Sequence, residues 1–195
     1  FEKTERAIAI SREIFGRNVL LYQEIFYHQF KKLNLKNSLS FKEYLQKAGP
    51  NSLNYMELLP MGRAAYKLGY LYRKQAAKHF FGKSCIEELT RPWHIHVDSY
   101  CNYMTGYCGG ISLGDARDLD SICSGIDLDD RPILHALATD MKKLYEFGIK
   151  EFGYEESREG YISKCHLCIH IREHIARQTD RFKELQPKEF YFHLK

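Results

Sequence analysis

The stretch "ISKCHLCIHIREHIARQ", residues 162–178, brings two cysteines and three histidines into one short span. Cys165 and Cys168 form a C-x-x-C pair at the start of what reads as a basic helix, and His166, His170 and His174 recur along it at intervals of one turn. Two thiolates at that spacing can grip one metal from a single turn of chain. A tetrahedral site needs further ligands from elsewhere. His170 stands too near Cys168 for a zinc-finger spacing, so the histidines are expected to coat a solvent-facing stripe or to donate to metal-bound sulfur.

The remaining cysteines are at 85, 101, 108 and 123. Cys85 precedes a predicted hairpin and Cys108 follows it; a hairpin returns the chain, so ligands on either side of it can converge. Together with Cys165 and Cys168 they make a four-thiolate set that suits zinc and a [4Fe–4S] cluster equally. The competing reading is of separate buried thiols, since free Cys is among the most buried residue types. That reading serves Cys101 and Cys123 as well as a ligand role does. His94, His96 and Asp98 alternate along one extended segment and share a face, which is the donor set of non-haem iron sites. Three donors strung along a strand do not surround a point, so a half-exposed polar face is expected there.

The elements that must position these groups follow from periodicity and punctuation. Ala7, Ile8, Ile10 and Ile14 mark a helix over 2–15, stopped by Gly16. "NVLLY" (18–22) reads as a buried strand, 23–33 as a helix, and 40–48 as another with Ser40 as N-cap. "YMELL" (55–59) reads as a second strand closed by Pro60, and 62–80 as one long amphipathic helix. Strand and helix thus alternate as in parallel βα units. After Gly82 the character changes. "WHIHVD" (93–98) and "YMTGYC" (103–108) form the hairpin, a Gly- and Asp-rich loop follows, and Asp130 with Pro132 starts a helix expected to run to about Phe152. Residues 1–82 and 83–195 are therefore expected as two domains.

Bulk properties narrow the classes. A chain of 195 residues can bury a real core, and a net charge of +4 without a Lys/Arg block describes a solvated surface, not a nucleic-acid arm. No apolar run approaches the roughly 18 residues of a membrane span, and no signal peptide is seen, so a cytoplasmic protein without a membrane partner is expected. Six cysteines in such a chain point to metal or redox chemistry in preference to disulfides. A first residue of Phe is read as a processed or truncated product.

Three stretches give the whole chain a resemblance to the C-terminal half of a radical S-adenosylmethionine protein: "ELLPMGRAAYKL" (57–68), "CIEELTRPWHIHVDSYCNYMTGYCGGISLGDARDLD" (85–120) and "GYISKCHLCIHIREHI…FKELQPKEFYFHL" (160–194). The resemblance implies an α/β fold, the last βα units of a partial (β/α)6 barrel followed by a small α+β auxiliary domain of SPASM/twitch type. It implies that Cys85, Cys108, Cys165 and Cys168 ligate an auxiliary [4Fe–4S] cluster, with zinc in a non-catalytic interaction module as the alternative. Cys101 stands where the hairpin glycine of such domains would be, which makes it a rival ligand. Pro60, Met61, Gly62 and Arg63 would lie near the adenine of S-adenosylmethionine. The superfamily's C-x-x-x-C-x-x-C triplet is absent from this sequence. S-adenosylmethionine and a second [4Fe–4S] cluster are therefore expected only with a missing N-terminal half, which, or another radical S-adenosylmethionine protein, would be the partner. The metal is expected to be chiefly structural for the region after Gly82, because the linking loop 108–130 is polar and glycine-rich.

Overall fold

The computed structural model describes residues 1–16, 22–49, 61–91, 93–106 and 108–195. These are mostly helical, with one small three-stranded antiparallel sheet, and no barrel forms among them. They belong to two compact units, Phe1–Leu58 and Leu59–Lys195. No helix among the described residues is long and apolar enough to cross a membrane.

In the first unit, α1 (Glu2–Phe15) opens with acidic residues where the helix dipole favours them, and none of its residues is buried. Glu5 accepts from Tyr27 and pairs with Lys31, both on α2 (Tyr22–Lys32). α3 (Phe41–Ala48) begins at a full capping box: Glu43 N donates to Ser40 Oγ at 3.3 Å, and Ser40 N donates to Glu43 Oε2 at 2.8 Å. Of the strand expected at 18–22, only Tyr22 is among the described residues, and it opens α2. The strand expected at 55–59 lies outside them altogether.

In the second unit two expected helices prove to be broken, each by a tertiary hydrogen bond. Residues 62–80 form only α4 (Arg63–Lys67) and two 3₁₀ turns, Gly69–Leu71 and Ala77–Phe80. Gln75 leaves the helical path to exchange both backbone bonds with Tyr161, at 2.8 and 2.7 Å, and Ala77 N donates to Glu156 Oε1 at 2.7 Å. The helix expected from Pro132 to Phe152 divides at Asp140 into α7 (Pro132–Thr139) and α8 (Met141–Phe152). Asp140 Oδ1 caps α8 by accepting from Lys142 N at 2.8 Å and takes Gly82 N at 2.9 Å, while Met141 N donates to Lys83 O at 3.0 Å. The Asp140 side chain therefore starts α8 and ties the break to Gly82, and the backbone of Met141 ties it to Lys83.

The core is built on α9 (Lys164–Ala176), which packs on α8 and on α10 (Lys188–Phe192). Leu137, Met141, Leu144, Leu167, Ile171, Ile175 and Leu185 are all essentially inaccessible there. Gly148 lets α8 approach closely, since a Cβ on it would sit 2.9 Å from Ile171 Cγ2. Ala77 and Phe80 belong to the same core, so the division expected after Gly82 falls inside this packed unit.

The sheet has the order β1 (Ile95–Val97), β2 (Asn102–Thr105), β3 (Gly114–Asp115), with Ile95 opposite Thr105 and Asn102 opposite Asp115. Asp98 shapes the β1–β2 turn: its Oδ1 accepts from Tyr100 N and Asn102 N, each at 2.9 Å. Cys101 closes that turn with a φ of 62°, in the left-handed region that only glycine enters without cost. Cys101→Gly is therefore expected to stabilise the chain by about 1 kcal/mol, measured by urea denaturation. A loss of stability would show that the Cys101 side chain makes a contact that outweighs the backbone strain.

Candidate metal centre

The site is assembled from three parts of the second unit. Ser163 caps α9, accepting from His166 N at 3.0 Å, and so sets Cys165 and Cys168 in the first two turns. Three residues apart, the two thiols share a face of the helix. Cys85 precedes α5 (Ile86–Leu89), and its backbone N donates to Leu137 O at 2.7 Å. Lys164 Nζ clamps this segment to the start of α9, donating to Ser84 O at 2.6 Å and to Glu88 Oε1 at 3.1 Å. Cys108 follows β2. Thr105 Oγ1 ties that strand to α5 through Leu89 O at 2.9 Å.

The backbone after Cys108 is held by glycine. Gly110, at a φ of 75°, lies against the rings of Phe190 and Tyr191, with no room for a Cβ. Tyr191 donates its hydroxyl proton to Gly110 O. The neighbouring Gly109 is equally confined, since a Cβ there would sit 2.7 Å from Phe190 Cε2.

Cys85, Cys108, Cys165 and Cys168 all line one cavity of about 300 Å³. Apolar walls come from Ile111, Leu137 and Ile169, and a cationic wall from Arg91 and Arg172. Among the described residues no three His, Cys, Asp or Glu side chains form a group that could hold a metal ion.

Burial raises three of these thiols. Cys108 is pushed up to about 11 and Cys165 to about 12, and Cys85 lies higher still. Free thiols at these positions are protonated near neutral pH, and ligation must expel the protons. Arg172 offsets part of the effect at Cys108. Arg172 is not evident from a ligand search of the sequence. Its signal is the spacing, since four residues after Cys168 it returns to the face of the helix that carries the cysteines.

Other candidates lie elsewhere or are already engaged. Cys101 sits in the β1–β2 turn and does not line the cavity; Cys123 is exposed at the end of α6 (Leu119–Cys123). Asp98 is taken up by its turn, with Oδ2 accepting from Asn102 Nδ2 at 2.9 Å. The histidines of α9 form no solvent-facing stripe and do not meet the sulfurs. His166 is buried against Tyr66 and Tyr161, and His170 Nδ1 is 2.8 Å from Tyr154 Oη. His174 Nε2 is 2.8 Å from Phe152 O. Burial, reinforced by His170, holds His166 down at about 4. Met61 lines the cysteine cavity, Gly62 precedes α4, Arg63 begins it exposed, and Pro60 lies outside the described residues.

No family model matches the chain, no curated protein matches it, and no solved structure matches its fold.

The close seat of Gly110 can be tested against Gly125, which also has a positive φ, of 112°, but open space around it. Alanine at either position meets backbone strain, and at Gly110 it also collides with two aromatic rings. Gly110→Ala is expected to cost about 1–3 kcal/mol more than Gly125→Ala in urea denaturation. Equal losses would mean that the loop after Cys108 can shift without consequence.

Proposed function

We propose that this chain is the auxiliary-cluster portion of a radical S-adenosylmethionine-type protein, and that Cys85, Cys108, Cys165 and Cys168 hold a [4Fe–4S] cluster. The observation that carries the reading is the single cavity lined by these four thiols, which come from three separated parts of the sequence. Four cysteine ligands suit a [4Fe–4S] cluster and a zinc ion equally, and the sequence resemblance favours the cluster. A bound [4Fe–4S] cluster supplies one-electron chemistry, and with four cysteines on it no iron is left open for substrate. The chain's own residues hold the centre, exclude water through Ile111, Leu137 and Ile169, and place positive charge beside it through Arg172. Relay of electrons, together with support of the hairpin, fits this arrangement.

The finer parts of the reading rest on sequence resemblance. In it, residues 1–82 supply the last βα units of a partial barrel, Pro60–Arg63 lie near S-adenosylmethionine, and an N-terminal half or partner protein brings the second [4Fe–4S] cluster.

Anaerobic reconstitution with iron and sulfide is expected to give a brown, visible-absorbing chain with about four irons. Alanine at any of the four cysteines should lower the iron content, and Cys101→Gly should not. A colourless chain that takes zinc in place of iron would favour the interaction-module alternative. With S-adenosylmethionine and reductant, the loaded 195-residue chain is expected to release no 5′-deoxyadenosine, for want of the cysteine triplet.

The structural share of the metal is narrower than the polar loop suggests, because Ile111 and Leu113 are buried and α7–α9 have an apolar core of their own. In the iron-loaded protein, Cys165→Ser should therefore reduce amide-exchange protection over 85–113 while leaving α8 and the second half of α9 close to wild type. Uniform loss across the unit would show that the metal holds the whole core.

A further inference from the structure

We propose that Arg172 is the counter-charge and hydrogen-bond donor of the metal centre, acting through the sulfur of Cys168 to make the bound cluster easier to reduce. The inference rests on the reading that the four cysteines carry a [4Fe–4S] cluster. Arg172 is 2% exposed. Its Nε faces Cys168 Sγ at 3.2 Å, and its Nη1 donates to Gly109 O at 3.1 Å and to Tyr191 Oη at 2.7 Å. Because Tyr191 gives its own proton to Gly110 O, its oxygen is free to accept from the guanidinium. Both carbonyls belong to the loop that follows Cys108, so one buried cation links two ligand-bearing segments.

What this cation lacks is an anion. Among the described residues no carboxylate lies within ion-pair distance of Arg172. The adjacent Glu173 turns to Tyr66, Arg177 and Lys195 instead. A guanidinium does not shed its proton in a protein, and a buried charge without a counter-charge is strongly unfavourable. Carbonyl and phenol dipoles offset part of that cost. The cavity's other polar lining consists of Arg91, of Glu88 (paired with Lys164) and of the four thiols, which become anionic when they ligate metal. Metal loading thus gives Arg172 its counter-ion.

The same geometry bears on reduction. A hydrogen bond to ligand sulfur and a nearby positive charge both favour the state with one more electron. In that step the cluster gains one electron from an external one-electron reductant. With dithionite, the sulfur dioxide radical anion is oxidised to sulfite, and no bond to the protein forms or breaks. Arg172 touches none of the reacting iron and acts through Cys168, so it is a positioning residue. Lys164, a half-buried cation nearby, donates to Ser84 O and Glu88 and also interacts with the Cys85 thiol, so it acts at a different sulfur from Arg172.

The test compares wild type, Arg172→Gln and Arg172→Lys, each reconstituted anaerobically with iron and sulfide and titrated with dithionite while the reduced-cluster EPR signal is followed. The Gln chain is expected to reduce about tenfold less favourably, which is a fall of about 59 mV for one electron, and the Lys chain to recover most of the difference. A Gln chain with wild-type iron content and wild-type potential would overturn the role of Arg172 and leave the cluster reading standing. A wild-type chain that takes up no iron–sulfur cluster would overturn both. A second readout covers a Gln chain that does not fold. In an Arg91→Lys background, with arginine labelled by ¹⁵N, the reduced cluster should show hyperfine coupling to Arg172 Nε. Absence of that coupling in a loaded chain overturns the inference.

Discussion

The second unit depends on burying α9 on almost every side. Its thirteen residues include nine buried ones, and His166, Arg172 and Glu173 are among them. A helix enclosed in this way cannot leave its polar groups to water, so each must find a partner inside the protein. The three faces of α9 meet that requirement differently. Leu167, Ile171 and Ile175 face the apolar core, the histidines meet tyrosines and a backbone carbonyl, and Cys165, Cys168 and Arg172 face the cavity.

Much of the surrounding architecture can be read as a response to that helix. Gln75 pairs with Tyr161 just before it, Asp140 breaks α7 from α8 so that α8 can lie along it, and Lys164 draws α5 onto its first turn. At the other end Glu184 is fully buried, its Oε1 accepting from Ile133 N at 3.0 Å near the start of α7. That carboxylate supplies an acceptor where Arg131, the residue preceding α7, provides no side-chain cap. Tyr191, from α10, closes the arrangement by meeting both Arg172 and Gly110. The elements that form the candidate metal centre are thus the same ones that enclose the helix.

This coupling explains why a polar centre is compatible with a well-packed unit. Replacing a buried cation and thiols by apolar groups of similar volume is often neutral or stabilising by about 1–4 kcal/mol, so stability alone gives little reason to keep Arg172 there. The apolar walls of the cavity lower the local dielectric, which strengthens whatever charge interactions the centre makes.

Features set by near neighbours in the chain were legible from residue types. Ser40 with Glu43, Pro132 at the start of α7, Gly16 after α1, and the hairpin around Asp98 all depend on contacts within a few residues. So does the shared face of Cys165 and Cys168, because helical spacing is a local property. Long-range partners were not legible. Nothing near Asp140 announces that Gly82 and Lys83 will arrive to occupy the break, and nothing near Gln75 announces Tyr161. Helical position left the histidines of α9 open to solvent or to metal-bound sulfur, because it does not say what stands opposite; Tyr154 and Tyr161 stand there. Likewise, six cysteines are compatible with many groupings, and the packing of α5, the hairpin and α9 selects four of them. The physical reason is one of distance along the chain. Caps, turns and helical faces are local equilibria, whereas a broken helix or a shared cavity depends on loop closures whose benefit appears only once the core has formed.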